Sequence, residues 1–343
     1  NTITINNIND NSNCKGVYFN SSEYCTINNN NITITNYSYQ FYAIVNWNNN
    51  SNAIVNGNTI DATLYDSIQC GFYTSTGNSY SPYDVYGIHL YDAQEINSNT
   101  ILLDQYVAYG SAIQVSQDDN YNIDLTIENN HIETFSLTYW ANNAVINYSS
   151  NNNYSGDVLI KNNTIELYGG TGNAIRAYKN ADVIDNTISY SNSRYINGNN
   201  CSFSQYGEYL VGIEVQDDHH VIRGNTITNF ARGITLNYST DNIVDSNFIH
   251  TLSDYVTVSG SNYNWSNDNY GIYANNSDSL FITANTIETG SGTLIYQTNG
   301  ASTIKYNLLE TESGRGISCE NQAGVEFSNN TIVSTAGSSD YGV

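Results

Sequence analysis

Residues 316–332 read GISCENQAGVEFSNNTI, and this stretch contains two short apolar motifs separated by a polar turn. One motif is a small residue followed by Ile, Val or Leu, as in Gly316-Ile317. The other is Asn-x-Ile, as in Asn330-Thr331-Ile332, and it begins fourteen residues after Gly316 (330 − 316 = 14). A fresh Gly-Val pair starts at Gly342. The two motifs therefore define a candidate repeat.

Both motifs recur along the whole chain. The Asn of the second motif falls at twelve positions: Asn1, Asn30, Asn58, Asn99, Asn130, Asn163, Asn186, Asn225, Asn247, Asn285, Asn307 and Asn330. The small residue of the first motif also falls at twelve positions: Gly16, Ala43, Gly87, Ala112, Ala144, Ala174, Gly212, Gly233, Gly271, Thr293, Gly316 and Gly342. Four of the eleven Asn intervals are 22 or 23 residues long, and the longer ones contain insertions. A fixed period of this size is typical of a repeat architecture.

The apolar runs are short, rich in Ile and Val, and bounded by Asn, Gly, Ser and Asp, which favour turns. Helical repeats need longer runs at a 3.6-residue spacing, leucine-rich repeats need recurring Leu, and left-handed β-helices usually show a hexapeptide period. The pattern predicts an all-β fold, a right-handed parallel β-helix. This single-stranded solenoid would have about eleven coils of roughly 22 residues plus loop insertions. We interpret residues 1–343 as one continuous domain and as a segment of a longer surface protein.

The stretch Gly233-Ile234-Thr235-Leu236-Asn237-Tyr238-Ser239 through Asn247-Phe248-Ile249 resembles the parallel β-helix repeats of pectate-lyase-like proteins and of periplasmic copper-site (NosD-like) proteins. The bias toward Asn, Tyr and Thr, with few Lys, is similar to that of the Asn/Thr-rich adhesin-like surface proteins of methanogenic archaea. The repeat resemblance covers essentially the whole chain and implies the β-helix fold. It implies no single function, because this fold serves enzymes, adhesins and scaffolds alike.

The charge balance limits the possible partners. The chain has 32 acidic and 9 basic residues, a formal net charge of −23, and 58 of its 343 residues are Asn. This argues against a nucleic-acid partner, since phosphate binding needs clustered Lys and Arg, and against docking on anionic lipid. No apolar run reaches the length of a membrane-spanning helix. The acidic, Asn-rich composition leads us to expect an extracellular location at the cell surface.

Twelve Asn-x-Ser/Thr sequons occur, and each is a candidate site of glycosylation, although many would arise by chance in a chain of this composition. They are Asn20, Asn31, Asn36, Asn49, Asn147, Asn153, Asn162, Asn200, Asn237, Asn264, Asn275 and Asn329.

The five cysteines show no Cys-x-x-Cys spacing, which disfavours a zinc or redox site. Cys14 and Cys25 flank the first small-residue strand and could form a disulfide. Cys70 and Cys201 lie in two long insertions and are also disulfide candidates. Cys319 occupies an inward position of its strand, where we expect a buried free thiol.

Three loops are long, about 61–86, 188–211 and 250–270, and all follow an Asn-x-Ile motif. Because they occupy the same spacer of the repeat, we expect them to leave the same corner of the coil. They are rich in Tyr, whose flat apolar face and hydroxyl group suit sugar or protein recognition. The alternative is that these aromatics only pack their own loops. The candidate ligand-binding residues are Tyr80, Tyr83, Tyr86, Tyr195, Tyr206, Tyr209, Tyr263, Trp265 and Tyr270.

In each small-residue strand, alternation predicts that the second and fourth positions face the core and the third faces solvent. Three polar or aromatic residues then fall at inward positions as exceptions: Asn46, Asn147 and Tyr296. The predicted outward row is Tyr18, Val45, His89, Gln114, Ile146, Arg176, Glu214, Thr235, Tyr273, Ile295 and Ser318. Pectate-lyase-like enzymes carry catalytic groups on this face, so His89, Arg176 and Glu214 are the catalytic candidates if the chain is an enzyme.

The turn Gln216-Asp217-Asp218-His219-His220 is a weak candidate for a metal site, with Asp217, Asp218 and His219 as ligands of Ca²⁺ or a transition metal. The equivalent turns elsewhere hold Asn, Tyr and Ser, which favours a solvated turn instead. We therefore expect no cofactor, and Ca²⁺ is the alternative for this turn. The motif asparagines are expected to form ladders of stacked amides with a structural role.

We favour a non-enzymatic, adhesin-like module that binds a glycan or a surface protein of another cell through its Tyr-rich loops. Two alternatives stay open: a polysaccharide lyase or glycoside hydrolase that uses the outward face, and a structural envelope or filament subunit. A hydrolase needs paired carboxylates, and the outward row offers only Glu214. The uncapped coil ends also predict end-to-end self-association.

Overall fold

The computed structural model describes residues 1–6, 13–20, 24–35, 40–47, 52–62, 84–105, 109–117, 123–136, 144–150, 156–168, 172–191, 193–196, 199–202, 210–251, 257–258, 261–262, 269–321 and 324–335. These residues form strands and turns, and none of them lies in a helix that could span a membrane. They form two compact units. Unit 1 comprises Asn1–Gly156, Thr164–Gly172 and Ser191–Gln205, and unit 2 comprises Asp157–Asn163, Asn173–Tyr190 and Tyr206–Val343.

The strands of the first half of the chain are β1 Thr2–Asn6, β2 Asn13–Phe19, β3 Thr26–Asn28, β4 Asn31–Thr35, β5 Gln40–Asn46, β6 Ala53–Asn56, β7 Thr59–Ala62, β8 Asp84–Tyr91, β9 Ala93–Asn97, β10 Thr100–Gln105, β11 Tyr109–Gln117, β12 Leu125–Glu128, β13 His131–Ser136, β14 Ala144–Ser150, β15 Val158–Lys161, β16 Thr164–Tyr168, β17 Gly172–Tyr178 and β18 Ala181–Ile184. Those of the second half are β19 Thr187–Ser191, β20 Ser193–Ile196, β21 Asn199–Ser202, β22 Leu210–Gln216, β23 Val221–Arg223, β24 Thr226–Phe230, β25 Arg232–Asn237, β26 Ile243–Asp245, β27 Phe248–Thr251, β28 Thr257–Val258, β29 Ser261–Asn262, β30 Tyr270–Asn275, β31 Leu280–Thr283, β32 Thr286–Thr298, β33 Ser302–Lys305, β34 Leu308–Glu320, β35 Val325–Ser328 and β36 Thr331–Ser334.

The strands of unit 1 form three parallel stacks, in which each strand pairs with its counterpart from the next coil. The small-residue stack, which contains the small-residue motif, runs β2-β5-β8-β11-β14. The asparagine stack, whose strands follow the motif asparagines, runs β1-β4-β7-β10-β13-β16. The third stack runs β3-β6-β9-β12. Each coil therefore contributes one strand to each stack, as the repeat predicts.

Unit 2 has the same three stacks. Its small-residue stack runs β17-β22-β25-β30-β32-β34, its asparagine stack β19-β24-β27-β32-β34-β36, and its third stack β15-β18-β23-β26-β31-β33-β35. Strands β32 and β34 are 13 residues long and continue from the asparagine stack into the small-residue stack. The predicted all-β parallel β-helix is confirmed in both units.

The core of each unit consists of the aliphatic side chains that alternate inward from the three stacks. In unit 1 the fully buried rows include Ile32, Ile60, Ile101, Ile132 and Ile165 of the asparagine stack and Ile44, Ile88, Ile113 and Ile146 of the small-residue stack. In unit 2 they include Ile188, Ile227, Ile249, Ile287 and Leu309, and Ile175, Ile213, Ile234, Ile272 and Ile295. A single coil could not enclose these side chains, so the stacking of coils creates the core.

The motif asparagines form the predicted amide ladders. Asn58 is typical: its backbone N–H and its Nδ2 both donate to Oδ1 of Asn99, at 2.9 and 3.0 Å. Its Nδ2 also donates to the carbonyl of Ile27 in the third stack, at 2.8 Å. The ladder of unit 1 runs through Asn1, Asn30, Asn58, Asn99 and Asn130. That of unit 2 runs through Asn163, Asn186, Asn225, Asn247, Asn285, Asn307 and Asn330.

The structure corrects the predicted facing of two coils. Ile146 and Ile295, predicted to face outward, are fully buried and pair with the inward residues Ile113 and Ile272. Consequently Asn147 and Tyr296, predicted to face inward, lie on the outward face of their coils. In these two coils, the strand pairing places the small-residue position one residue later than the sequence motif does. A shift of one residue moves every side chain of a strand to the opposite face. Asn46 does face inward, as predicted.

The structure also corrects one disulfide candidate. Cys14 and Cys25 are both free thiols, so they form no Cys14–Cys25 bond. The two residues belong to different stacks, because Cys14 lies in β2 and Cys25 immediately precedes β3. Cys319 is free, as expected, but only half buried, and burial raises the pKa of its thiol to about 11. Cys70 lies outside the described residues, and only the backbone of Cys201 is described.

Candidate functional site

The outward face of unit 1 carries a group of aromatic rings on neighbouring strands, which we call the aromatic patch: Tyr18, Tyr42, Trp47, Tyr86, His89 and Tyr91. Tyr42 and Tyr86 are direct partners in β5 and β8, and their rings stack with centroids 5.3 Å apart and an interplanar angle of 12°. Trp47 meets Tyr42 edge-on at 5.2 Å. Ring separations of this size are typical of favourable aromatic contacts.

His89 lies at the centre of the aromatic patch. Its ring centroid is 4.7 Å from that of Tyr86, 5.6 Å from Tyr91, 5.7 Å from Trp47 and 5.9 Å from Tyr42. It is only 9% exposed, and its Nδ1 has no hydrogen-bond partner among the described residues. Burial lowers the pKa of His89 to about 4, so the imidazole is neutral at pH 7. A neutral ring of this kind extends the aromatic surface.

The outer rim of the patch is accessible. Tyr18 is 48% and Trp47 37% exposed. The Nζ of Lys15 lies 4.2 Å from the ring centroid of Tyr18 and 5.1 Å from that of Trp47, which places a cation over both rings. Val45, which occupies an outward position, is fully buried among its neighbours. The patch is therefore a packed layer of rings with an open, cationic edge.

In unit 2, two of the predicted catalytic residues come together. Nε of Arg176 donates to Oε2 of Glu214 at 2.8 Å. The same carboxylate accepts hydrogen bonds from the side-chain amides of Asn173, Asn237 and Gln216. Glu214 is only 8% exposed. A carboxylate held by four donors has a structural function in this arrangement, because none of its oxygens is left free to accept a proton from a substrate.

A second aromatic group in unit 2 consists of Tyr270, Tyr273 and Tyr296. Tyr273 and Tyr296 are direct partners in β30 and β32 and stack with centroids 5.4 Å apart and an interplanar angle of 10°. Tyr270 packs against both rings at 4.8 and 5.4 Å. Arg232 lies over this group, with its guanidinium carbon 4.6 Å from the centroid of Tyr273. Burial, followed by a hydrogen bond with Glu320, raises the pKa of Tyr296 to about 12.

The weak metal candidates form a turn. Asp218 accepts a hydrogen bond from the backbone N–H of Thr240 at 2.7 Å, and the exposed His219 lies 3.8 Å from Asp241. His220 is fully buried and bonded to the backbone of Gln216 and Ala181, so it belongs to the core. In the described part of the chain, no group of three or more His, Cys, Asp and Glu side chains could hold a metal ion.

The predicted ligand-binding residues are only partly covered by the structure. Tyr86 lies in the aromatic patch and Tyr270 beside Arg232. Tyr195 lies in β20, which forms a short antiparallel ribbon with β21. A second antiparallel ribbon, β28-β29, lies in the third long loop. Outside the described residues are Tyr80, Tyr83, Tyr206, Tyr209, Tyr263 and Trp265.

Tyr42, Trp47 and Tyr91 of the aromatic patch were not predicted, because they lie outside the long loops in which aromatic ligand-binding residues were expected. Tyr42, Tyr86 and Tyr270 each stand immediately before a motif residue, at Ala43, Gly87 and Gly271. The structure shows that the residue before the small residue faces outward. An aromatic at that position, repeated in neighbouring coils, was the available signal.

The sequon asparagines differ in their surroundings: some are hydrogen-bonded to neighbouring coils and others are exposed. Asn147 and Asn237 are engaged on the outward face, where their Nδ2 atoms donate to Gln114 and Glu214. The exposed sequons include Asn162 and Asn329, both at turns with positive φ. Glycosylation stays a prediction for all of them. Outside the described residues are Asn36, Asn49, Asn153 and Asn264.

Residues 188–343 match the family model described as "Right handed beta helix region". The fold of both units is the right-handed parallel β-helix that this model describes. A similar solved structure is endopolygalacturonase I from Stereum purpureum complexed with two galacturonate, with 12% sequence identity, a TM-score of 0.34, and coverage of 97% of this chain and 95% of that chain. No curated protein matches the chain. The resemblance of this β-helix repeat protein to archaeal surface proteins stays a prediction.

Proposed function

We propose that this β-helix repeat protein is an extracellular, adhesin-like module that binds a glycan at the cell surface through aromatic side chains and does not catalyse a reaction. The observation that carries the proposal is the aromatic patch of unit 1. Its rings lie on strands of the small-residue stack, where their positions are set by the coil spacing, except for Trp47, which directly follows β5. Sites built on strands hold their geometry better than sites on loops.

The chemistry of the patch suits a sugar. Tyr18 and Trp47 present exposed ring surface, onto which the apolar C–H face of a pyranose can pack. Lys15 stands at the same edge and can donate hydrogen bonds to sugar hydroxyls. Because the buried rings of Tyr42 and His89 support this edge from below, little side-chain freedom is lost on binding. A protein on the surface of another cell is the alternative ligand for the same patch.

The test is a glycan-array screen followed by calorimetry with the best ligand. Trp47→Ala and Tyr18→Ala should each weaken binding by about tenfold, or about 1.4 kcal/mol, while the β-sheet spectrum is unchanged. Tyr24→Ala is the matched control, since Tyr24 is 73% exposed in unit 1 and is not part of the patch. Equal affinity of all three variants and the parent protein would refute the role of the patch.

One observation favours an enzyme as the second candidate. Glu133 and Glu166 are direct partners in β13 and β16 of unit 1, and both are half-buried on the outward side of the asparagine stack. Neighbouring strands lie about 4.8 Å apart, which is near the carboxyl separation of retaining glycosidases. Tyr168 donates to Glu166 at 2.5 Å, and His131 lies 3.4 Å from Glu133.

A polysaccharide-degradation assay decides between the two candidates. If the protein is a glycoside hydrolase, it releases reducing sugars, and Glu133→Gln and Glu166→Gln each abolish the release. Under the binding proposal, no polysaccharide that the protein binds is shortened, and the two substitutions leave affinity unchanged. Two carboxylates directly opposite each other repel. The second outcome would therefore indicate that Glu133 and Glu166 have a structural role, in which contacts with His131 and Tyr168 offset this repulsion.

A further inference from the structure

Arg232 in unit 2 has a guanidinium group with no acidic partner among the described residues. Its Nε is buried and has no hydrogen-bond partner there, and its carbon lies over the rings of Tyr273 and Tyr270 at 4.6 and 5.5 Å. Three other basic side chains of the unit have carboxylate partners at 2.8–2.9 Å: Arg176 with Glu214, Arg223 with Asp245, and Lys305 with Glu326. An arginine without such a partner is unexpected in a chain with a net charge of −23.

Thr235 provides a second, independent observation at the same place. It is 2% exposed, and its Oγ1 has no hydrogen-bond partner among the described residues. Thr235 is the direct strand partner of Tyr273, the residue that Arg232 covers. Two donors without partners therefore border one tyrosine ring. A buried polar group without a hydrogen-bond partner is destabilising, so a ligand that accepts from both groups is bound more tightly.

Two neighbouring acidic residues do not prevent an anion from approaching. Glu214 is the strand partner of Thr235 on the other side, but its carboxylate forms an ion pair with Arg176. Glu320 lies in β34, two strands beyond Tyr273, and its carboxylate is hydrogen-bonded with Tyr296. The long-range field of the protein is nevertheless negative, which repels a polyanion more strongly than a ligand with one charge. The electrostatics therefore select a ligand that carries one negative group on an otherwise neutral body.

We propose that Arg232, Thr235 and the Tyr270–Tyr273–Tyr296 group form a subsite for a single oxyanion carried by a sugar, either a carboxylate or a sulfate ester. The planar fork of Arg232 binds two oxygens of the anion, Thr235 donates a third hydrogen bond, and the tyrosine rings hold the guanidinium in place. This inference rests on the proposed glycan-binding function and specifies the ligand as an oligosaccharide that ends in one acidic sugar.

Calorimetry on the full chain tests the subsite with three probes: lactose, 3′-sialyllactose and 3′-sulfated lactose. We expect at least one acidic probe to bind about tenfold more tightly than lactose, and the two acidic probes distinguish a carboxylate from a sulfate. Arg232→Gln should remove this preference. Arg232→Lys, which keeps the charge but not the fork, should retain only part of it. Arg223→Gln is the control, because it removes the same charge from the third stack and should leave the preference unchanged.

The possible results separate this inference from the proposed function. If lactose binding depends on Trp47 and all three probes bind equally, the glycan-binding function stands and the subsite is refuted. If acidic probes are preferred and Arg232→Gln has no effect, the subsite is also refuted. If the preference depends on Arg232 while Trp47→Ala changes nothing, the subsite is supported and the aromatic patch loses its role. Absence of binding by every probe overturns the subsite.

Discussion

Asn225→Ala should test the energetic importance of the amide ladder in unit 2. Asn225 is fully buried, and its Nδ2 donates to Oδ1 of Asn247 at 3.0 Å and to the carbonyl of Val183 at 2.8 Å. Its Oδ1 accepts from the backbone N–H and from Nδ2 of Asn186, both at 3.0 Å. The substitution removes all of these bonds at once and leaves their partners inside the protein.

The magnitude follows from the buried groups that lose a hydrogen-bond partner. The backbone N–H of Asn186 loses Oδ1 of Asn225, and the carbonyl of Val183 loses Nδ2. Each of these two losses costs about 1–3 kcal/mol, so the free energy of unfolding should fall by about 2–6 kcal/mol. A change of that size lowers the melting temperature by about 10 °C in a unit of this length.

The control is Asn330→Ala in the same ladder. Asn330 accepts from Asn307 and donates to the carbonyl of Ile304, but it is only half buried. Water can replace its bonds, so the loss should stay below about 1 kcal/mol. Melting followed by circular dichroism, with hydrogen exchange of the Asn186 amide, measures both variants. Equal and small losses in the two variants would show that the ladder is a consequence of the fold and contributes little stability.

Three further outcomes are expected. Gly233→Ala should destabilise unit 2 by about 1–3 kcal/mol in a melting experiment, because the added Cβ would lie 2.3 Å from Cγ2 of Ile249 and 2.6 Å from the carbonyl oxygen of Gly271; an unchanged melting point would contradict this. His89 has a folded pKa of about 4, below its ordinary 6.5, so the unfolded state binds the proton first. Stability should therefore fall by up to about 3 kcal/mol as the pH drops from 6.5 to 4, and His89→Phe should flatten that pH profile. The Cys319 thiol, with a pKa of about 11, should react slowly with iodoacetamide at pH 8 in the folded protein and quickly in urea.

The parts of the structure that could be predicted are those in which local pattern and packing agree. Ile88 and Leu90 alternate inward as expected, and so do Ile234 and Leu236. The prediction failed in the coils of Ile146 and Ile295, where a small residue one position early imitated the motif. Only the pairing with the neighbouring coil identifies the correct register, because the sequence of each strand taken alone is compatible with both registers.

The candidate sites, like the fold, were predicted only in part. The sequence indicated that the outward row contains His89 and the pair Arg176 and Glu214, but it could not show their surroundings. The rings around His89 come from residues 42–91, and the donors around Glu214 come from residues 173–237. These side chains meet because strands of successive coils are in register. Their spacing in the sequence depends on loop lengths that vary from coil to coil.

The sequence by itself determined the repeat, the strand type, the ladder of asparagines and the acidic exterior. All of these follow from the period of the motifs and from the composition, which are properties of the chain before it folds. The tertiary structure alone decided which outward residues are buried, which carboxylate forms an ion pair and which cation lies over tyrosine rings. Those properties depend on contacts between coils, and a solenoid forms its contacts across the strand spacing of about 4.8 Å between residues that lie 22 or more positions apart.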